Sequence, residues 1–189
     1  MDIQQIKEKV QQNLSEKRYM HTLRVSELAK QLAEQFGVEV DQVEKAALIH
    51  DYLKETPNEQ LHQYIASAND PAQVLNAHPI LWHGPAVAEI ATDTFGITDQ
   101  SIIEAVRYHT TGRPHMNAVE EIVFIADYME PARSFPGIED VRNAAEESIE
   151  QGIAIALGNT ITHLVSQRAK IHPLTFKAYN AYIDQIQEK

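Results

Sequence analysis

Residues 47–57 read ALIHDYLKETP, an apolar run that ends in an adjacent histidine and aspartate. His50 follows Val43 and Ala47 at the spacing of a helix, so we expect its side chain on the apolar face that packs into the core. Burying an imidazole and a carboxylate without partners costs free energy. The pair formed by His50 and Asp51 therefore predicts that other polar groups, or an ion, lie beside it.

Other inward-facing histidines and aspartates occur along the chain. Each is in line with the apolar residues of its predicted helix or stands at a helix entrance, and they are His21, His83, His109 and Asp127. One such histidine is more often a hydrogen-bonded core residue than a metal ligand. Six such side chains together would leave several desolvated groups without compensating charge, which favours a bound divalent cation. His78, five residues before His83, is predicted to lie beside the site or to contact substrate.

Composition limits the classes of protein that fit. The chain has 189 residues, 43% of them apolar and none of them cysteine, so we expect one domain with one core and a metal site without thiolate ligands. The net charge of −11 argues against a broad nucleic-acid-binding surface. The N-terminus lacks the basic-then-apolar order of a signal peptide, and no run of about 18 apolar residues occurs. We therefore expect a cytoplasmic protein without membrane or nucleic-acid partners.

The hydrophobic periodicity predicts an all-α fold. Apolar residues recur at three- and four-residue steps, and alternating strand-like runs are scarce, so we expect a compact single-domain helical bundle. After an opening helix at about 2–14, Ser15 and Gly37 should bound the second helix, and Asp41 with Glu44 should cap the third. A further helix is expected over 59–68, and Pro85 should lie in the first turn of the next one. Thr98 or Asp99, and then Asn117, should act as N-caps. The last third should be helical over 138–171 and from Leu174 onward, with Gly152 and Gly158 as possible breaks.

The chain resembles the HD superfamily of metal-dependent phosphohydrolases. The resemblance lies in the order His21, His50-Asp51, His83, His109 and Asp127, with successive spacings of 29, 33, 26 and 18 residues. The segments RYMHTLRV, LIHDYLKE, LWHGPAVA, RYHTTGR and ADYMEPAR more closely resemble the YqeK-type subgroup, a family of bacterial symmetrical diadenosine tetraphosphate hydrolases. Within one domain over residues 1–189, we expect the metal-binding core at about 15–135 and C-terminal helices at about 138–187.

The resemblance implies a dinuclear metal centre. In such a centre one metal is held by the first histidine, the histidine-aspartate pair and the last aspartate: His21, His50, Asp51 and Asp127. His83 and His109 would supply a second site that shares Asp51, because a carboxylate has two oxygens. The subgroup implies iron, while nitrogen and oxygen ligands also suit manganese, zinc or nickel. In the expected reaction, a hydroxide held by the two metals attacks the tetraphosphate bridge to give two ADP, so no protein nucleophile is required.

Basic residues are concentrated near these positions. Five of the seven arginines lie within six positions of a predicted ligand: Arg18, Arg24, Arg107, Arg113 and Arg133. Lys54, one helical turn after Asp51, is predicted to contact phosphate or to donate a proton, so that Asp51 and Lys54 form the predicted catalytic pair. The predicted substrate contacts are Arg18, Lys54, His78, Thr110, Thr111, Arg113 and Arg133.

Two alternatives remain open. The first is a phosphohydrolase of the same fold acting on a mononucleotide, on guanosine tetraphosphate or on a cyclic dinucleotide. The glycine-tyrosine-proline signature of the cyclic-dinucleotide subgroup is absent after His83, which disfavours that branch. The second is a catalytically silent domain that binds a nucleotide, although six intact ligand positions favour catalysis. A homodimer is suggested by the moderately apolar segment GIAIALGNTITHLV.

Overall fold

The regular structure of this chain is helical. The computed structural model describes residues 1–66 and 71–187, and within that part of the chain no β-strand occurs. The helices are α1 (Ile3–Asn13), α2 (Glu16–Phe36), α3 (Val40–Ile49), α4 (Asn58–Ile65), α5 (Pro71–Leu75), α6 (His83–Phe95), α7 (Gln100–Tyr108), α8 (Ala118–Tyr128), α9 (Ile138–Glu147), α10 (Ile149–Ser166) and α11 (Pro173–Gln187). A 3₁₀ turn at Pro79–Leu81 precedes α6. The all-α prediction is confirmed.

Several helix ends have the local causes that the sequence predicts. The Ser15 side chain caps α2 by accepting from a main-chain N–H, and Gly37 ends that helix in the left-handed conformation at φ +69°. Asp99 accepts a cap hydrogen bond at the start of α7. Asn117 and Glu120 form a reciprocal capping box at the start of α8. Side-chain chemistry therefore sets where α2, α7 and α8 begin.

Other predicted boundaries need correction. The cap by Asp41 and Glu44 is wrong, because the cap position is Glu39, two residues earlier, and α3 begins at Val40 without a side-chain cap. Asp41 instead pairs with Lys45, one turn further along. The helix predicted over 59–68 is α4, and residues 67 and 68 lie outside the described residues. Pro85 does lie in the first turn of its helix.

The break in the C-terminal region is at a serine. Ser148 is extended, at φ −152° and ψ 122°, and its side chain caps α10. Neither Gly152 nor Gly158 breaks α10. A Cβ on Gly152 would lie 2.8 Å from the Cβ of Ala145, so this glycine allows α10 to approach α9 closely. The sequence pattern did not distinguish a glycine that breaks a helix from one that permits close packing.

Helix packing brings the ends of several helices to one place. α2 packs against α3 and α8, and α7 packs against α3, α6 and α8. His50 directly follows α3, His109 directly follows α7, His83 begins α6, and Asp127 is the penultimate residue of α8. His21 lies in the second turn of α2. None of the helices described above is long and apolar enough to cross a lipid bilayer.

Candidate metal centre

The six predicted ligands come together in the interior. His50 is fully buried, while Asp51, His83 and His109 are each no more than 3% exposed and His21 is 8% exposed. The Asp127 side chain is mostly buried. Residues that lie up to 106 positions apart in the sequence thus form one cluster of imidazoles and carboxylates. Burying such groups costs free energy unless opposite charges or hydrogen bonds compensate.

Asp51 lies between two groups of histidines. Its Oδ1 is 3.1 Å from His83 Nε2 and 3.7 Å from His109 Nε2. Its Oδ2 is 3.4 Å from His50 Nε2 and 3.7 Å from His21 Nε2. Each carboxylate oxygen therefore faces a different half of the cluster. In the half that faces Oδ2, His21 Nε2 also lies 3.1 Å from Asp127 Oδ1.

The histidines are held through the ring nitrogen that faces away from Asp51. Nδ1 of His50 lies 2.6 Å from the Ala47 carbonyl, Nδ1 of His83 lies 2.9 Å from the Ile80 carbonyl, and Nδ1 of His109 lies 2.7 Å from the Val106 carbonyl. A carbonyl only accepts hydrogen bonds, so each Nδ1 carries the proton. In the neutral ring, Nε2 then presents a bare lone pair toward Asp51.

This arrangement fits a divalent cation. His83 Nε2 and His109 Nε2 lie only 3.0 Å apart, so two lone pairs and an anionic oxygen face one another. His21 Nε2 and His50 Nε2 make no hydrogen bond of acceptable geometry with any described residue. The candidate ligand atoms of His21, His50 and Asp127 lie within 4.8 Å of one another, as do those of His50, Asp51 and His109. A cation on each side of Asp51 would satisfy these lone pairs, and nitrogen and oxygen donors suit first-row divalent metals.

The protonation behaviour of the cluster is consistent with cation binding. Burial lowers the pKa of His83 to about 4 against the opposing effect of Asp51, and burial also lowers the pKa of His109. Burial would raise the pKa of Asp51, but the electrostatic influence of the adjacent His50 helps to hold it well below its usual value. Burial would lower the pKa of His50, yet the Asp51 and Asp127 carboxylates raise it. At neutral pH the carboxylate is charged while His83 and His109 are neutral, which is the state that binds metal.

A cationic cavity opens onto the His21 side of the cluster. Its volume is about 450 Å³, and four cationic side chains line it beside two glutamates: Lys17, Arg18, Arg24 and Arg133, with Glu55 and Glu130. Arg18 Nη1 lies 2.9 Å from Asp51 Oδ2, and Arg133 Nη2 lies 2.6 Å from Asp127 Oδ1. Both guanidinium groups thus join the cavity to the cluster. The cavity has the charge and the position for phosphate groups.

Lys54 reaches the other half of the cluster. Its Nζ lies 3.4 Å from His83 Nε2. Burial lowers the pKa of Lys54, and Asp51 and Asp127 oppose that shift. The lysine therefore lies where it can contact a phosphate or supply a proton.

The other predicted substrate contacts lie elsewhere. Arg113 makes a two-pronged ion pair with the buried Glu120, at 2.6 and 2.8 Å. His78 is exposed and caps the 3₁₀ turn. Thr110 and Thr111 line a separate cavity of about 300 Å³. The structure does not bring these four residues into the cationic cavity, and their substrate contacts stay predictions.

Glu130 is a residue of the site that sequence reasoning missed. It is 2% exposed and lies beside His21 and Arg24. It follows the end of α8 by two residues, where helical periodicity no longer indicates a side-chain direction. A signal was present in ADYMEPAR, where a glutamate stands between a methionine and a proline three residues after Asp127.

Comparisons with known proteins find similarity over most of the chain. Residues 18–132 match the model of the HD domain. A Bacillus subtilis (strain 168) protein named "Bis(5'-nucleosyl)-tetraphosphatase, symmetrical" is 42% identical, with 90% of this chain and 92% of that protein covered. A Staphylococcus aureus protein of the same name is 34% identical, with 96% and 95% covered. A Clostridium acetobutylicum crystal structure, described as a predicted HD superfamily hydrolase involved in NAD metabolism, matches with a TM-score of 0.92 at 32% identity, with 98% of both chains covered.

Proposed function

The chain belongs to the HD-domain family, and on that premise we propose that it is a metal-dependent hydrolase that cleaves diadenosine tetraphosphate symmetrically into two ADP. Relatives covered over nine-tenths of their length carry the name of that activity. The observation that carries the proposal is the position of Asp51, whose two oxygens face separate groups of histidines.

We propose that this cluster holds two divalent cations. The first would be held by His21, His50, Asp51 and Asp127. The second would be held by Asp51, His83 and His109, so that Asp51 is common to both. When bound, such cations supply Lewis acidity toward phosphoryl oxygens and activate water at neutral pH. Iron as the native metal, with manganese, zinc or nickel as alternatives, stays a prediction from the resemblance.

The cationic cavity would bind the polyphosphate. Arg18 and Arg133 offer N–H donors there, and a guanidinium matches the geometry of phosphate oxygens. Each of them also contacts an aspartate of the cluster, so phosphate bound to them would be placed beside the ligands. Lys54, on the other side of Asp51, would hold a further phosphate or give a proton to the leaving oxygen. Asp51 and Lys54 are thus the proposed catalytic pair.

The C-terminal helices would support the site instead of contributing ligands. α10 packs against α8, and α11 packs against α10. Two hydrogen bonds tie α11 to the metal-binding part of the chain: Thr175 Oγ1 donates to the Thr111 carbonyl at 2.9 Å, and Tyr182 Oη donates to Glu121 at 2.6 Å. This supports a division into a metal-binding core at 15–135 and supporting helices at 138–187. A homodimer and a cytoplasmic location stay predictions from the sequence.

Product analysis tests the proposed reaction. The metal-loaded chain should convert diadenosine tetraphosphate into ADP as the sole nucleotide product. ATP plus AMP would mean asymmetric attack and would contradict the proposal. Faster turnover of a mononucleotide or of guanosine tetraphosphate would assign another substrate to the same centre, and metal binding without turnover of any of them would indicate a silent nucleotide-binding domain.

A further inference from the structure

Glu130 is surrounded by hydrogen-bond donors. Its Oε1 accepts from the main-chain N–H of Ala132 at 3.0 Å and from Arg24 Nε. Its Oε2 lies 3.4 Å from His21 Nδ1. The side chain is 3% exposed, so these protein groups replace most of its hydration. A buried carboxylate in this position has a fixed orientation.

His21 differs from the other histidines of the centre in how its ring is held. His50, His83 and His109 each use the main-chain carbonyl three residues earlier, and each stands at a helix end or start. His21 instead lies inside α2, where main-chain carbonyls accept the N–H groups of the helix itself. Its Nδ1 therefore needs an acceptor from another part of the chain. Glu130 is 109 positions away and supplies it.

We propose that Glu130 is a positioning residue that holds the proton of His21 on Nδ1, directs His21 Nε2 toward Asp127 and Asp51, and so sets the affinity of the metal bound on that side. The inference rests on the proposed function, since it takes His21 as a ligand. Outer carboxylates that orient metal-binding histidines typically change metal affinity 10- to 100-fold when they are replaced.

A carboxylate is needed at this position because all three neighbours donate. Glutamine has the same shape, but its amide nitrogen cannot accept. Whichever way the amide is turned, its NH₂ group faces either His21 Nδ1–H or the Arg24 and Ala132 donors. Glu130→Gln should therefore turn the His21 ring or leave a donor without an acceptor.

The test is Mn²⁺ binding by equilibrium dialysis. Wild type should bind two ions per chain, and Glu130→Gln should bind one of them about 10- to 100-fold more weakly while the other is unchanged. Glu120→Gln is the matched control, because Glu120 is also a buried glutamate, 1% exposed, that pairs with an arginine, Arg113. The control should lose stability and leave both Mn²⁺ affinities within about twofold of wild type, as expected for a distant site.

A double variant separates positioning from general destabilisation. If Glu130 acts through His21, then His21→Ala combined with Glu130→Gln should bind Mn²⁺ like His21→Ala alone. Additive losses, or wild-type affinities in Glu130→Gln, would overturn the inference. Wild type that binds no Mn²⁺ would overturn the proposed function and this inference together, whereas the other two outcomes leave the proposed function intact.

A second measurement needs no variant. In the Zn²⁺-loaded wild-type chain with ¹⁵N-labelled histidine, NMR should show His21 with a proton on Nδ1 and with Nε2 bound to the metal. The opposite assignment would overturn the role of Glu130 even if Glu130→Gln failed to fold.

Discussion

Arg18 donates a hydrogen bond to Asp51 Oδ2 at 2.9 Å, and this is the carboxylate oxygen that faces His21 and His50. The same arginine lines the cationic cavity. A single side chain thus contacts both the proposed metal ligands and the space proposed for substrate phosphate. Arg18 would therefore be able to bind a phosphate oxygen beside Asp51.

Arg18→Ala should raise KM for diadenosine tetraphosphate about 10- to 100-fold, because a hydrogen bond between charged groups contributes about 1.5–3 kcal/mol. Metal content should not fall, since Arg18 is no ligand. Steady-state kinetics and elemental analysis measure the two effects. Lys30→Ala is the control for net charge, because Lys30 lies on the same helix and pairs with Glu27 outside the cavity. Loss of metal with an unchanged KM would contradict this role.

Asp51→Asn should remove both metal ions and abolish turnover. An amide keeps the shape of the side chain but loses the charge and one ligating oxygen, and both halves of the cluster depend on this residue. His83→Gln should remove only one ion, because His83 belongs to one half. Elemental analysis of the two purified variants distinguishes them. An Asp51→Asn protein with two ions would show that Asp51 is not shared.

Gly84→Ala should weaken metal binding at the His109 side. A Cβ on Gly84 would lie 2.9 Å from the Val106 carbonyl and 3.0 Å from His109 Cε1, so the ring must shift. Overpacking of this kind costs about 1–3 kcal/mol of stability. Gly152→Ala is the matched control, since its Cβ would clash with Ala145 at 2.8 Å away from the centre. Both variants should be destabilised in urea, and only Gly84→Ala should lose Mn²⁺ affinity. Equal affinities would show that the His109 ring tolerates movement.

The metal-free chain should lose stability as the pH falls from about 6.5 toward 4. The unfolded chain binds a proton at His83 near its usual pKa of 6.5, whereas the folded chain does not until about 4. The contribution of His83 to the free energy of unfolding is therefore fully present above pH 6.5 and falls below it, by about 2–3 kcal/mol at pH 4.5. The pKa of His109 is also lowered, so its contribution to stability falls in the same direction. The pKa of His50 is raised, so its contribution is lost as the pH rises above about 6.5.

Urea unfolding in the presence of a chelator, at pH 6.5 and 4.5, measures this loss. His83→Gln should flatten the pH dependence, because it removes the group that binds the extra proton. A variant as pH-sensitive as wild type would assign the effect to other groups.

The sequence contained enough information for the all-α fold and for the six clustered side chains, because helical spacing, which His50 and His109 keep one residue past their helices, indicates which residues face the core. Glu130 lies two residues past the end of α8, where helical spacing no longer indicates a side-chain direction, so it was missed although it lies beside His21. Closeness in sequence to a predicted ligand also did not predict which arginines reach the site. Arg113 lies four positions after His109, yet its guanidinium pairs with Glu120. The direction of a long, flexible side chain depends on tertiary partners that the pattern does not contain.

Elemental analysis of the purified wild-type chain, after supply of iron or manganese, tests whether one cluster around Asp51 holds two divalent metal ions. About two metal ions per chain should be found and should be retained through gel filtration. One ion or none would contradict a centre in which the two oxygens of Asp51 serve two metals.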